Sequence, residues 1–510
     1  MLIVGMVVAV LAATTAYVYN RAHDPLVIAY WWFGNASLLF CMYAFVKGRR
    51  FLHLPVAGGR TVAIVPAYEE DPDELRACVE SILNQRGAAV TEVHVVDDGS
   101  VRNQVVPFDH PRVVWHRKPN GGKRAAQVYA LDKLNREDWD FILTVDGDSV
   151  LDEHALAHQL RAFSRPSIMA TTGMVLVRNV DDNLLTRIAD VNIGTSCVMM
   201  RASRSLLGTL ETTSGALAVY RAEILFDNKR RYLEAGTYGD DRCLAMYSAM
   251  RGEVVGVNEA LVWSAMPTDM ATTYRQRLRW SKSWWCMIPF VLANMQKIRQ
   301  MFFPIFGLVQ LAIAPLTIGF ALVSVALAAT RGHAHWGAVA LYGSVYASVR
   351  YAQVGLYMVE RPGMTLRTKL LTWLLITPVE AAYNLLLLNP TKYIALAKLR
   401  DHGWGTRGNA HSGVRPAVLS EDDPTLPLPV PVRAGHRRRA PARTKWALAA
   451  AATVAVVAGG AGLLPLLRQA PASTTAPVVE AAVPAAPQPA TPDPAATQAI
   501  APARHPGAGR

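Results

Sequence analysis

Phe141-Ile-Leu-Thr-Val145-Asp146-Gly-Asp148 is the stretch whose reading decides the fold. Five strand-favouring residues run into two carboxylates separated by a glycine. An apolar run of this length, closed by a turn signal, predicts a buried strand. Ligands of open α/β sheets collect beyond the carboxyl ends of the strands, so Asp146 and Asp148 are expected to project into a crevice. Two hard oxygen donors on a tight turn suit Mg²⁺ or Mn²⁺, which take few protein carboxylates and complete their shell with water and phosphate oxygens. Asp and Gly are also the commonest turn formers, so this stretch alone leaves an ordinary turn open.

Its neighbours repeat the pattern. Thr61-Val-Ala-Ile-Val65 runs into Pro66-Ala-Tyr-Glu-Glu70, and Glu92-Val-His-Val-Val96 runs into Asp97-Asp98-Gly99-Ser100. Between them, residues 73–85 place Leu75, Val79, Ile82 and Leu83 on one helical face. A second helix is expected over 123–134. Strand, helix, strand, helix, strand predicts a parallel-rich α/β sheet, with three carboxylate-bearing ends on one edge. Asn120-Gly-Gly-Lys-Arg124 precedes the second helix, and glycine amides with a cation at a helix N-terminus suit a phosphate. An ordinary turn with a solvated lysine fits the same residues. Farther on, Tyr238-Gly-Asp-Asp-Arg242 opens an amphipathic helix, where Asp240 and Asp241 read either as helix-end residues or as a general base.

The remainder of the 510 residues reads as membrane-associated. The chain is 51% hydrophobic with a mean hydropathy of +0.17, too apolar for an ordinary soluble protein. Residues 2–19 and 26–46 are each long enough to cross a bilayer and predict a transmembrane hairpin over 1–50. Lys47, Arg49 and Arg50 behind it place the next domain, 51–272, in the cytoplasm. Arg275-Gln-Arg-Leu-Arg-Trp-Ser-Lys-Ser-Trp-Trp285 is basic and aromatic, as expected of an interfacial helix over 273–300. Residues 301–410 carry two further spans, 302–329 and 336–359. They also carry 369–388, an apolar run holding Pro378, Glu380 and Asn384, which is expected to lie at the interface or re-enter, because a crossing there would set the basic stretch 392–445 outside. A basic linker (411–445), a last span (446–467) and a disordered Ala/Pro-rich tail (468–510) complete the expected organisation. The net charge of +13 points to anionic lipid and nucleotide phosphate. No zinc spacing or RNA-binding signature appears, so nucleic acid is not an expected partner. Five scattered cysteines without a CxxC pair exclude a disulfide framework and fit a reducing compartment.

Asp97-Asp98-Gly99, Asp146-Gly-Asp148, Gly239-Asp-Asp-Arg242 and Gln276-Arg-Leu-Arg-Trp280 occur in that order. Together they resemble the processive, membrane-embedded family 2 glycosyltransferases that build polysaccharide from UDP-sugars. Within that group Arg279-Trp-Ser-Lys-Ser283 and Trp404-Gly-Thr-Arg407 look most like hyaluronan synthases, with chitin-oligosaccharide synthases as close relatives. The resemblance spans roughly residues 25 to 410 and implies a GT-A-type nucleotide-sugar-binding domain. It implies that Pro66, Ala67, Tyr68, Glu69, Asp97 and Asp98 bind the uridine and that Lys123 meets donor phosphate. Asp146 and Asp148 would hold donor and Mg²⁺ or Mn²⁺, with Asp148 the first metal ligand. Asp241 matches the catalytic base, with Asp240 in reserve and Arg242 beside them. Gln276, Arg279 and Trp280 would meet pyrophosphate and form the acceptor platform, and Trp404 and Arg407 would close over the nucleotide. Ser214 and Gly215 fall in a segment near the acceptor, where this chain has Thr and Ala around the Ser-Gly in place of the usual Cys and Pro. The implied partners are UDP-sugar donors, a growing polysaccharide and membrane lipids. Alternatives are a chitin-like synthase using UDP-GlcNAc alone, a single-sugar lipid glycosyltransferase, and a non-catalytic transporter or scaffold.

Overall fold

The computed structural model describes residues 5–6, 9, 11–16, 25–48, 51–235, 239–294, 319, 326, 330 and 336–399. The chain divides into two units, Met1–Leu428 and Pro429–Arg510, and the second lies wholly outside the described residues. So do the predicted loop holding Trp404 and Arg407, the span at 302–329 apart from residues 319 and 326, the basic linker, the last span and the tail.

The three anticipated strands form and pair in parallel. β1 (Thr61–Ala67) lies between β2 (Glu92–Asp97) and β4 (Phe141–Thr144), aligning Ala67 with Asp97 and Ile64 with Thr144. Side-chain alternation sorts the strands between two cores. Ala63, Val65 and Leu143 pack on one face with Leu75, Cys78, Val79 and Ile82, whereas Val62, Ile64 and Ile142 pack on the other with Ala126, Val128, Ala130 and Leu131. All seven residues of β1 are buried, as expected for a strand covered on both faces. Helix Pro72–Leu83 starts at Asp71, whose carboxylate accepts from the amides of Asp73 (3.0 Å) and Glu74 (3.2 Å), with Pro at the first turn. Such a cap contributes about 1 kcal/mol.

The complete sheet has eight strands in the order β3-β2-β1-β4-β7-β6-β8-β5. β3 is Val113–Arg117, β5 Ser149–Leu151, β6 Ile168–Val177, β7 Ala218–Arg221 and β8 Glu253–Ser264. The β3-β2-β1-β4 half is parallel, and β7 enters antiparallel to both β4 and β6. Strand order reverses between β1 and β4, which places the ligand crevice beyond Ala67 and Thr144.

One predicted segment outside this domain takes a definite form. The segment expected to be interfacial or re-entrant is part of one continuous helix, Leu366–Ala397, interrupted by π-helical turns at Thr372–Ile376 and Asn384–Leu388. These wider turns adjoin Pro378 and Pro390. At 32 residues, with an 18-residue stretch of mean hydropathy 1.5, it is, among the described residues, one helix long and apolar enough to cross a membrane. Its fully buried Glu380 pairs with Arg350 of helix Trp336–Glu360 at 2.5 Å and accepts from Asn192 at 2.9 Å. Asp190 and Arg361, 1% and 2% exposed, form a second buried pair at 3.0 Å. The sheet domain is thus fastened to the apolar helices by hydrogen-bonded charges rather than by apolar contact alone.

Candidate active site

The crevice is built from four segments. From β4, Asp146 follows the strand end, and its amide donates to the Gly215 carbonyl at 2.9 Å. Asp148 lies two residues on, half-buried, with the Ser149 hydroxyl donating to it at 3.1 Å. From the start of helix Lys123–Leu131, the Lys123 ammonium donates to Asp146 at 2.6 Å and lies 3.5 Å from Asp241. Asp241 stands in the first turn of helix Asp240–Arg251, as the sequence predicted. The fourth segment is helix Met270–Asn294, packed so closely that a Cβ on Gly239 would run into the Ser283 hydroxyl.

Two aspartates adjacent in sequence have different surroundings. Asp240 is buried and bound to Arg124 at 2.5 Å, so its carboxylate is committed to the structure. Asp241 faces Lys123 and Asp146. Burial raises its pKa. The cations Lys123 and Arg279 oppose that rise, and the neighbouring charges of Asp146 and Asp240 reinforce it. Burial acts against the Lys123 ammonium, but the charges of Asp146, Asp241 and Asp240 outweigh it and raise its pKa, so it stays protonated. A carboxylate held above its ordinary range beside a fixed cation is suited to take a proton near neutral pH.

Several of the predicted contact residues also brace the frame. Glu69, in the left-handed region at φ 53°, turns its carboxylate away to accept the amides of Asn103 (2.8 Å), Val101 (2.9 Å) and Arg102. The amides of Asn103 and Val101 in particular hold its pKa below the usual range. Neighbouring Tyr68 is the exposed residue at that strand end, whereas Pro66 and Ala67 are buried within β1. Asp97 accepts from the Ser100 amide at 2.8 Å. Asp98 accepts from the amides of Gly121 (3.0 Å) and Gly122 (2.6 Å) and from Lys118 (2.6 Å). The glycine amides expected to hold a phosphate are therefore taken by Asp98, because the Asp97-Asp98-Gly99 turn closes directly on them. The partners that Lys118, Arg124 and Thr213 find here were not legible in the sequence. Arg242 is half-buried against Glu211 (3.4 Å) and Ser283 (3.2 Å), apart from the Lys123 pair. Ser214 donates its amide to Thr172 at 2.9 Å.

On the helix Met270–Asn294, Trp280 is 40% exposed with the Arg277 guanidinium over its ring at 4.5 Å. Oε1 of Gln276 and Nε of Arg279 are buried with no partner among the described residues, as expected of groups waiting for a polar ligand. No group of three or more His, Cys, Asp or Glu side chains among the described residues is placed to hold a metal by itself. The donor set, two carboxylates on a tight turn beside phosphate-seeking cations, fits Mg²⁺ or Mn²⁺ that shares its shell with substrate phosphates rather than a closed protein cage.

Gly215 shows how tightly the site is closed. A Cβ there would lie 2.5 Å from Asp146 Oδ2 and 2.7 Å from Lys123 Nζ. Gly215→Ala should displace the ion pair and lower kcat by roughly 10²-fold, since misplacement of about 1 Å carries such a cost. Unchanged kcat in a steady-state transfer assay would contradict the tight juxtaposition.

The twisted sheet, with its carboxylates gathered where strand order reverses, defines a GT-A-like glycosyltransferase fold. Residues 59–283 match the family described as "Glycosyltransferase like family 2". The chain is 28% identical over 402 residues to a hyaluronan synthase of Streptococcus pyogenes, covering 73% of this chain and 90% of the relative. It is 33% identical over 234 residues to an N-acetylglucosaminyltransferase of Sinorhizobium fredii, covering 43% and 56%. Among solved structures, a mannosyltransferase of Pyrobaculum calidifontis in complex with GDP-Man and Mn²⁺ matches with a TM-score of 0.37 at 15% identity, over 77% of this chain and 99% of that one.

Proposed function

We propose that this enzyme is an inverting, processive glycosyltransferase of the plasma membrane, polymerising UDP-GlcNAc and UDP-GlcA and passing the product through its own apolar helices. The observation that carries the reading is Asp241, with its raised pKa, set against the Lys123–Asp146 pair under the helix bearing Gln276, Arg279 and Trp280. Asp241 takes the proton from the acceptor hydroxyl, whose oxygen attacks the anomeric carbon opposite the departing UDP. Configuration inverts, and an α-linked donor gives a β-linkage. Lys123 and Arg279 stabilise the charge that develops on the diphosphate. A divalent cation held by Asp148 and Asp146 together with the donor phosphates would neutralise further charge there. Tyr68, Asp97 and Asp98 flank the uridine, and the exposed face of Trp280 suits the apolar face of the terminal sugar. The proposed organisation keeps residues 51–272 as the cytosolic catalytic module and 273–300 as its interfacial helix. Helices Pro25–Gly48, Trp336–Glu360 and Leu366–Ala397 serve as lipid-facing elements.

The likeness to the S. fredii enzyme supports a second reading, polymerisation of UDP-GlcNAc alone. Purified protein in lipid with Mg²⁺ or Mn²⁺ distinguishes the two. High-molecular-weight product should require both donors, whereas product from UDP-GlcNAc alone would establish the chitin-like branch. UDP release without polymer would overturn processivity.

A further inference from the structure

Thr213 and Tyr220, in the stretch that carries Ser214 and Gly215, connect the proposed base to the centre of the sheet. Tyr220 sits in β7, paired with Ile142 of β4 on one side and Ala170 of β6 on the other, and is fully buried. Its hydroxyl lies 2.6 Å from Thr213 Oγ1, and Thr213 Oγ1 lies 3.0 Å from the main-chain carbonyl of Asp241. Thr213 is 2% exposed, so no solvent competes for these bonds. One proton order satisfies both. The Thr213 hydroxyl donates to the Asp241 carbonyl, and its oxygen accepts from the Tyr220 phenol. Burial, together with the nearby charge of Asp241, raises the phenol pKa and keeps Tyr220 a donor.

We propose that Thr213 and Tyr220 are positioning residues that fix the backbone of Asp241, and so aim its carboxylate, by a two-bond chain anchored in β7. The inference rests on Asp241 being the base. Helix Asp240–Arg251 begins at Gly239 without a side-chain cap. Its first turn is therefore located by packing on helix Met270–Asn294, by the Arg124–Asp240 pair and by this chain. Arg124 holds the neighbouring carboxylate, whereas Thr213 holds the peptide of Asp241 itself. A slip of the first turn would carry the base away from Lys123, its nearest cation at 3.5 Å.

The test uses full-length protein in lipid, with UDP release followed under saturating donor. Thr213→Val keeps the shape and removes the hydroxyl. It should lower kcat by at least about tenfold, within the roughly 10²-fold range of misplaced catalytic groups, with the donor KM unchanged. Thr213→Ser should restore the rate, and Thr213→Cys, a weaker donor, should fall between. Tyr220→Phe should resemble Thr213→Val, and the double variant should be no slower than either single one, because both break the same chain. Wild-type kcat in Thr213→Val, an equal loss in Thr213→Ser, or additive losses in the double variant would overturn the proposal. If Thr213→Val fails to fold, Tyr220→Phe with its own kcat and KM decides the matter. Asp241→Asn is assayed alongside. Full activity there would refute the base assignment itself, whereas an inactive Asp241→Asn beside a fully active Thr213→Val would refute only the positioning chain.

Discussion

Asp241→Asn should cost 10²- to 10⁴-fold in kcat, about the contribution of a positioned general base, while UDP binding and membrane insertion persist. The substitution is nearly isosteric, and none of the framework bonds described above uses the Asp241 carboxylate. Lys123 would still be paired with Asp146 at 2.6 Å, so the cation would not be left uncompensated. The effect should therefore appear in kcat with little change in donor affinity, as in the loss of an interaction made only in the transition state. Calorimetric UDP binding and transfer rate measured on one preparation give the separation. A variant that binds UDP and still polymerises at the wild-type rate would move the base elsewhere. The neighbouring Asp240 is a poor substitute, because Arg124 already holds it.

The second large effect is expected from Lys123→Met, which removes the cation lying between Asp146 and Asp241. Two losses combine. Charge on the departing diphosphate loses a fixed partner, which costs on the order of 10²- to 10³-fold for a single preorganised donor. Asp241 also loses the neighbour that most strongly lowers its pKa. The sign follows directly. A base works when deprotonated, so activity falls as pH drops through its pKa. Because that pKa is already raised, the acidic limb of the wild-type rate profile should lie above the titration range of an ordinary aspartate. Without Lys123 the carboxyl holds its proton to still higher pH, and the limb should move further toward alkaline conditions. A pH–kcat profile of the variant reads this shift. A limb that stays in place, or moves to lower pH, would separate Lys123 electrostatically from Asp241.

β1, β2 and β4 of the parallel half were legible because each is a short apolar run closed by Asp, Gly or Pro, and because burial on both faces leaves few polar interruptions, whereas the half-buried edge strand β3 was not anticipated. Nor was the second half. β8 carries Asn258 and Glu259 inside its run, and its register against β6 shifts between Gly173 and Met174, so no clean two-residue period marks it. Helix ends were read a few residues long, as with Lys123–Leu131, where propensity continues past the point at which tertiary packing stops. Within the site, Asp146, Lys123 and Asp241 declared themselves through carboxylates at strand and helix ends. Which charges pair was invisible. Arg124 meets Asp240 from 116 residues away and Thr213 meets Asp241 from 28, and no local pattern encodes such partners. The same blindness hid the backbone bonds that Glu69 makes. A carboxylate beside a cleft reads alike whether it faces the substrate or its own backbone.

That inward turn of Glu69 bears on what donor binding costs. Three consecutive amides, 101 to 103, are already bonded to one buried carboxylate, so the rim beside the uridine crevice is set before any nucleotide arrives. Fixing a residue's backbone costs on the order of 1–2 kcal/mol of conformational free energy, and here folding has already met that cost. A ligand entering the crevice meets a finished wall, and less of its binding energy is spent on ordering the chain.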